Sequence, residues 1–437
     1  MKALTRRTFC HIALDERGGA TAFSLFLLTA SLLIGGYAVD VSNVMTARTK
    51  LQIAADAAAH AALLTRETKS ESDAIITAID IAQRNMPAKT FGLVLRDADV
   101  QFGTYNTDTN TFTPVPGAIG AVRVETRQQA ANGNAISTFL MKLVGFTEWN
   151  IATQSIFVTY QPTCLREGFV AENVVDLQSN NSYVNGFCIH SNTYVSLNSN
   201  NYFEPGTVVS MPDTTNLQLP NSGFVTNLGL QEALHSGSWN IRIVKRIDAL
   251  IADLRVFGSR RMPAYITSAQ QVWLTNRIVD QADLVPGRVH RYNCGAGPPL
   301  TIRQNVVVDR VVLVTDCRVK FEQGVLLTNT VIATTNSSAL SVTAAASLQV
   351  GANDNCAPGG GAQIVTMGSM SFPADLRIYG GQLLAVRDIE FSANATGIQG
   401  AALVAGGRIS GTSNMEMGFC GTGMENNFRA EYFKLVY

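Results

Sequence analysis

Residues 301–350 read TIRQNVVVDRVVLVTDCRVKFEQGVLLTNTVIATTNSSALSVTAAASLQV. Short apolar runs stand at 306–308, 311–314, 319–321, 325–327, 331–332, 340–342 and 348–350, broken by Asn, Asp, Gly and Thr. Brief β-branched runs between turn formers predict strands. The pattern continues through Ile378, Leu383, Leu384, Ile389, Phe391, Ile398, Leu403 and Val404, with Gly at many corners. Short strands, glycine turns and weak quasi-repetition predict a parallel β-helix. A β-sandwich, the alternative, needs longer and evenly spaced hairpin strands.

Toward the N-terminus the same reading extends through an Asn-rich stretch. Asn occupies 173, 180, 181, 185, 192, 198, 200, 201, 216, 221 and 227 between short apolar segments. Asn tolerates left-handed turns and can stack between successive repeats. Residues 239–261 break the pattern with a predicted helix carrying Ile241, Val244, Ile247, Leu250, Ile251 and Leu254. Its interleaved Asp248 and Asp253 suggest a solvated outer face.

Cys164, Cys188, Cys294, Cys317, Cys356 and Cys420 all fall in this β-rich part, and Cys10 lies near the N-terminus. An even number in an exported portion predicts three disulfides and a free Cys10. Pairing of sequence neighbours is the simplest of the fifteen connectivities. No CxxC or HxxH spacing supports a metal site. Asp309, Asp316, Asp388 and Glu390, with Arg310 and Arg318, are the carboxylates and bases that a sugar-cleaving solenoid would need. No GxSxG elbow or phosphate loop occurs, and His190, His235 and His290 stand apart in sequence. Neither a catalytic residue nor a cofactor is assigned.

Lys plus Arg and Asp plus Glu balance at 33 each, and charged residues are 15% of the chain. That excludes a basic nucleic-acid binder and an acidic disordered tail protein. An uncharged polar surface suits an exported β-rich protein.

Residues 40–160 predict a small α+β unit. A second helix spans about 70–85 and stops at Met86-Pro87, strands follow at 92–95, 99–105, 111–113, 121–127 and 149–160, and a short helix is predicted at 136–144. Before it, residues 20–39 read ATAFSLFLLTASLLIGGYAV without a charge. Twenty helical residues span ~30 Å, the hydrocarbon thickness of a bilayer. Lys2, Arg6, Arg7 and Arg17 precede the run, so the N-terminus is expected in the cytoplasm and the rest exported. Three processing readings compete with an uncut anchor: a signal site at Gly36-Tyr37-Ala38, a twin-arginine motif at Thr5-Arg6-Arg7-Thr8-Phe9, and a prepilin-type site at Arg17-Gly18-Gly19. The last lacks the Glu that such sites place five residues on. The helix pattern runs past Val39, with Val44, Leu51 and Ala58 seven apart and Ala47, Ala54 and Ala61 beside them. Small residues on one stripe permit close helix approach. A docking line of Val44, Leu51, Ala54, Ala58 and Ala61 for another anchored helix and a simple packing face of the chain's own domain are the two readings.

These residues carry a resemblance. The apolar span, Ala38-Val39-Asp40-Val41, and Leu51-Gln52 followed by Ala54-Ala55-Asp56-Ala57-Ala58-Ala59 resemble the N-terminal segment of TadG-like proteins of the Tad (Flp) pilus systems. The order of the strand at 121–127, the segment at 137–146 and the closing strand resembles the periplasmic part of TadE/TadG-like proteins. The resemblance implies a non-enzymatic component of pilus assembly or surface adhesion in the bacterial inner membrane. Its implied partners are other Tad assembly proteins or pseudopilins, with a surface ligand or the pilus as a further candidate. Many relatives carry a metal-binding Asp-x-Ser-x-Ser motif, which is absent here, so metal-dependent adhesion is not implied. A membrane-anchored β-helical polysaccharide lyase or hydrolase is the alternative. The expected organisation is a cytoplasmic N-terminus (1–19), a transmembrane helix (20–39), an α+β pilin-like unit (40–160) and a β-rich disulfide-bonded domain (161–437).

Overall fold

No proline stands between Gly19 and Arg66, and alanine crowds the second half, so one continuous helix forms through Gly35-Gly36, α1 (Gly19–Arg66). The computed structural model describes residues 19–295, 297–411 and 413–437. Cys10 and the proposed processing motifs at 5–9 and 17–18 lie outside them. Two compact units result: residues 1–160 with 431–437, and residues 161–430.

In the first unit the chain turns at Thr68 and restarts at Ser70, whose hydroxyl accepts the Asp73 N–H. The Asp73 carboxylate accepts the Ser70 N–H in return, a capping box that starts α2 (Glu71–Asn85). Ala55, Ala58, Ala59 and Ala62 of α1 are buried with Ala74, Ala78 and Ala82 of α2, and with Leu95, Val100, Phe102, Val122 and Val124 from the sheet. The sheet is antiparallel, in the order Thr111–Pro114, Val100–Asn106, Ala121–Gln128, Ile151–Tyr160, Tyr432–Leu435. Val122, Val124 and Thr126 face inward while Arg123, Glu125 and Arg127 are partly exposed, the alternation of a half-buried strand.

Two sequence expectations change here. The segment at 136–144 is not a helix: Ile136–Ser137 pairs with Glu148–Trp149, and only Met141–Val144 makes a 3-10 turn. Gly145 closes that turn with φ of 88°, leaving no room for a longer helix. The last residues also leave the β-rich part, because Tyr432 pairs with Tyr160 and Leu435 with Phe157. Along the chain, the second unit therefore falls between two strands that are neighbours in the first unit's sheet.

The second unit is a 25-stranded sheet whose pairings are parallel. Strands recur in triplets. Gly168–Ala171, Val174–Leu177 and Ser182–Val184 are followed by Cys188–Ser191, Tyr194–Leu197 and Asn201–Phe203. Each strand pairs with its equivalent in the next triplet, as Ile189 with Phe169, Val195 with Val175, and Phe203 with Tyr183. Phe169, Val175, Tyr183, Ile189, Val195 and Phe203 all point into one core. Gly168–Ala171 is flanked on its other side by Ala402–Ala405, Val174–Leu177 by Ile409–Gly411, and Ser182–Val184 by Glu416–Gly418. So the chain starts this sheet in its middle, builds toward one end, and returns from the other end to close against its own first triplet.

The segment around residues 239–261 joins the two ends. It is less helical than its sequence predicts, with a 3-10 turn at Val244–Arg246 and a short helix at Ile247–Asp253. Its apolar set is nonetheless fully used: Ile241, Ile247, Leu250, Ile251 and Leu254 are completely buried. Val244 lies against Gly406, where a Cβ would come within 2.9 Å of it.

Candidate functional site

Among the described residues, little covers the apolar start of α1. Phe23, Phe26 and Ile34 are exposed, and this is a helix long and apolar enough to cross a membrane. Directly after the run sits Asp40, which is buried. Its carboxylate accepts the backbone N–H groups of Phe139 at 2.6 Å, Leu140 at 3.1 Å and Met141 at 2.7 Å. One turn earlier, Gly36 makes the approach possible: a Cβ there would lie 2.9 Å from the Leu140 Cβ. The Gly36/Asp40 pair thus fastens a segment a hundred residues away to the end of the apolar helix. Sequence reading registered Asp40 as part of a motif and missed its role, because its partners are backbone groups distant in the chain.

The alanine stripe is a packing face of the chain's own domain. Leu51 and Ala54 are buried with Met86 and Val94, and Ala58 is buried against α2. Val44 and Ala61 are only partly covered. The docking line expected along Val44, Leu51, Ala54, Ala58 and Ala61 is therefore corrected: the positions that permit close approach are already occupied by α2 and the sheet.

In the second unit the six cysteines form Cys164–Cys188, Cys294–Cys317 and Cys356–Cys420. Two of these lie at the closing seam. There Glu167 is wholly buried and accepts the N–H groups of Gly421 at 2.6 Å and of Cys420. Burial pushes its carboxyl above the usual carboxylate range, against the opposing pull of those two donors and of Arg166. Turns are held by Asn as anticipated. Asn180, Asn185 and Asn200 adopt positive φ. Asn181, Asn201 and Asn227 form a buried ladder, the Asn181 N–H donating to Asn201 Oδ1 at 3.0 Å and the Asn201 amide to Asn227 Oδ1 at 3.0 Å.

The carboxylates considered for catalysis do not converge. Asp309 pairs with Arg310 at 3.0 Å and accepts from Thr328 and Asn329. Asp316 accepts the Cys294 N–H at 2.7 Å, and Asp388 that of Arg408 at 2.9 Å. Each braces a turn of the neighbouring triplet. Thr315, Thr334, Thr366 and Ala385 are successive partners in one ladder, so Asp316 and Asp388 stand three steps apart. At ~4.8 Å per step that is roughly 14 Å, beyond the ~9.5 Å that two carboxylates acting on one glycosidic bond can span. Glu390 and Arg318 are exposed on strands or turns.

One polar cluster was not legible in sequence. His190 is fully buried, with Nδ1 2.7 Å from Ser210 Oγ and Nε2 3.0 Å from Asn192 Oδ1. Asn192 donates to Glu172 at 2.7 Å, and the Trp239 ring stacks on the imidazole at 4.2 Å. Ser210 is also buried, so the hydroxyl is closed to a substrate and the group reads as structural. His290 is similar, its Nε2 accepting the Val285 N–H at 3.0 Å. Burial lowers both imidazoles below their ordinary 6.5. Unfolded chains therefore bind protons first as pH falls, and stability drops from about pH 6.5 downward toward the lowered folded values. Glu167 acts oppositely, its contribution present at low pH and lost as pH rises through its raised value. The melting temperature of the protein is expected to fall between pH 7 and 5.5, with a shallower fall in His190→Gln/His290→Gln. An unchanged pH slope in the double variant would contradict this.

The first unit thus carries a helix of membrane-spanning length with the Asp40 clamp after its apolar run, and the second is a disulfide-bonded parallel sheet. The chain belongs to the family described as a domain of unknown function (DUF7867), whose model matches residues 168–421, more than half its length. Its N-terminal portion is that of a TadG-like Tad pilus protein. Residues 18–68 match the model described as putative Flp pilus-assembly TadE/G-like, and residues 57–156 that described as putative Tad-like Flp pilus-assembly. No curated protein and no solved structure gives a significant match.

Proposed function

We propose that this protein is a non-enzymatic, single-pass component of a Tad-type pilus assembly or surface adhesion system in the bacterial inner membrane. The observation that carries the reading is the pair of pilus-assembly matches over residues 18–156, which contain the exposed apolar helix and the clamp at its end. The N-terminus stays in the cytoplasm and both units are exported, in keeping with the basic residues before the helix and with three disulfides beyond it. The parallel strands wind as a β-helix, a rigid spacer whose Asn- and Gly-rich surface offers neutral hydrogen-bonding groups. Its separated acids and closed-off His190 support a scaffold over a carbohydrate-active enzyme. Other Tad assembly proteins or pseudopilins are the partners.

A photocrosslinking residue at Ile53, exposed on α1 beyond the apolar run, tests this in the native bacterium. Crosslinks to other Tad components are expected. Their absence, with a cytoplasm-only reporter active after Tyr437, would overturn the reading.

A further inference from the structure

Residues 138–147 form a closed loop whose own backbone bonds hold its shape. Thr138 N–H donates to Thr147 O at 3.0 Å and its hydroxyl to Phe146 O at 2.6 Å. Leu143, Gly145 and Phe146 donate to Leu140, Lys142 and Met141. Phe146 is fixed edge-on to Trp149, with ring centroids 4.8 Å apart. Here Phe139, Leu140, Leu143, Val144 and Phe146 are all exposed, Leu143 by 79%. Contiguous exposed apolar groups mark a surface that meets something apolar.

The place of the loop says what that is. Asp40 and Gly36 hold it against the last turn of the uncharged run, whose large apolar side chains, among them Phe23, Phe26, Ile34 and Val39, are exposed. The loop's apolar face is thus continuous with the helix surface that a bilayer would cover, at the level where hydrocarbon gives way to headgroups. Aromatic residues are favoured at that level, and a lysine there can keep its ammonium in the headgroups while its stem lies in the apolar layer. The exposed Phe139 and Phe146 supply the first and Lys142 the second. Internally paired backbone groups lower the cost of entering the interface.

We propose that the loop at 138–147 inserts into the outer leaflet beside the transmembrane helix. It forms a second membrane contact that fixes the rotation and tilt of the first unit, in the way interfacial segments dock by an apolar face. This rests on the membrane-anchor reading above. It gives Asp40 its purpose, since without that carboxylate the loop loses the bonds that hold it at the helix end.

The test uses the full chain with Cys10→Ser and Leu143→Cys, labelled with an environment-sensitive fluorophore. It is reconstituted into phosphatidylcholine/phosphatidylglycerol vesicles, some carrying nitroxide on the acyl chains. Ile76→Cys, exposed on α2, serves as comparison. The expected result is blue-shifted emission at 143 that is quenched by the lipid nitroxide, with neither effect at 76. Quenching at 143 by a water-soluble quencher alone would overturn the proposal. Shielding from both quenchers would also overturn it, pointing to a second copy of the chain over the loop. Release of the chain by alkaline washing would overturn the anchor reading and this one together, and is read separately from the fluorescence.

Discussion

Ala58→Leu is expected to destabilise the first unit by about 3 kcal/mol. Ala58 has no exposed surface and lies in a seam built from alanines on both sides: Ala55, Ala59 and Ala62 on its own helix, and Ala74, Ala78 and Ala82 on α2. Helices packed on alanine sit close, and neither backbone can retreat, because Leu95, Val100, Phe102, Val122 and Val124 fill the space behind. Overpacking ordinarily costs about 1–3 kcal/mol, and a seam without flexible side chains belongs at the upper end. Thermal unfolding and limited proteolysis of the first unit read the loss. Ala61→Leu, at a half-buried position on the same helix, should be tolerated. A stable Ala58→Leu protein that merely loses a binding partner would restore the docking-line reading.

Phe169→Ala is expected to destabilise the second unit by ~3–5 kcal/mol, the usual cost of emptying an aromatic site in a closed core. Phe169 is wholly buried, packs edge-on against Phe187 at 5.0 Å and against Phe391 at 5.5 Å, and stands in the strand where the first and last triplets meet. Its neighbours on the two sides, Ile189 and Leu403, come from opposite ends of the domain's sequence. Truncation therefore weakens the seam rather than a local turn. Cys164–Cys188 and Cys356–Cys420 restrict the unfolded chain and cannot refill the cavity. Urea unfolding monitored by near-ultraviolet circular dichroism gives the number. A loss below about 1 kcal/mol, the scale of a conservative core swap, would show that the seam is not a cooperative part of the core.

What sequence made legible follows the range of each signal. The membrane-length helix, the Ser70 start of α2, the alternation at 121–127 and the short strands after 301 are local patterns, and each appears in the structure. The disulfides join sequence neighbours, the simplest of the fifteen connectivities though not one that spacing dictates. Three features depended on distant partners and were missed. The pairing of Gly168–Ala171 with Ala402–Ala405 has no local signature. Neither does the return of Tyr432–Leu435 to the first sheet. Asp40 stood out by its place in a motif, yet its meaning lay in the backbone at 139–141. The alanine stripe marks a close-packing face, but small residues do not say whether the other surface is foreign or the chain's own. Residues 136–144 had helical composition, but Gly145 and the Asp40 clamp hold them as a turn.

Deletion of the gene in its native bacterium, followed by quantification of pilin sheared from the cell surface, bears most directly on the central claim. The account predicts that surface pilin is lost. Full-length protein should restore it, while the exported units carried by a cleavable signal in place of residues 1–39 should not. Normal piliation in the deletion strain would contradict the account.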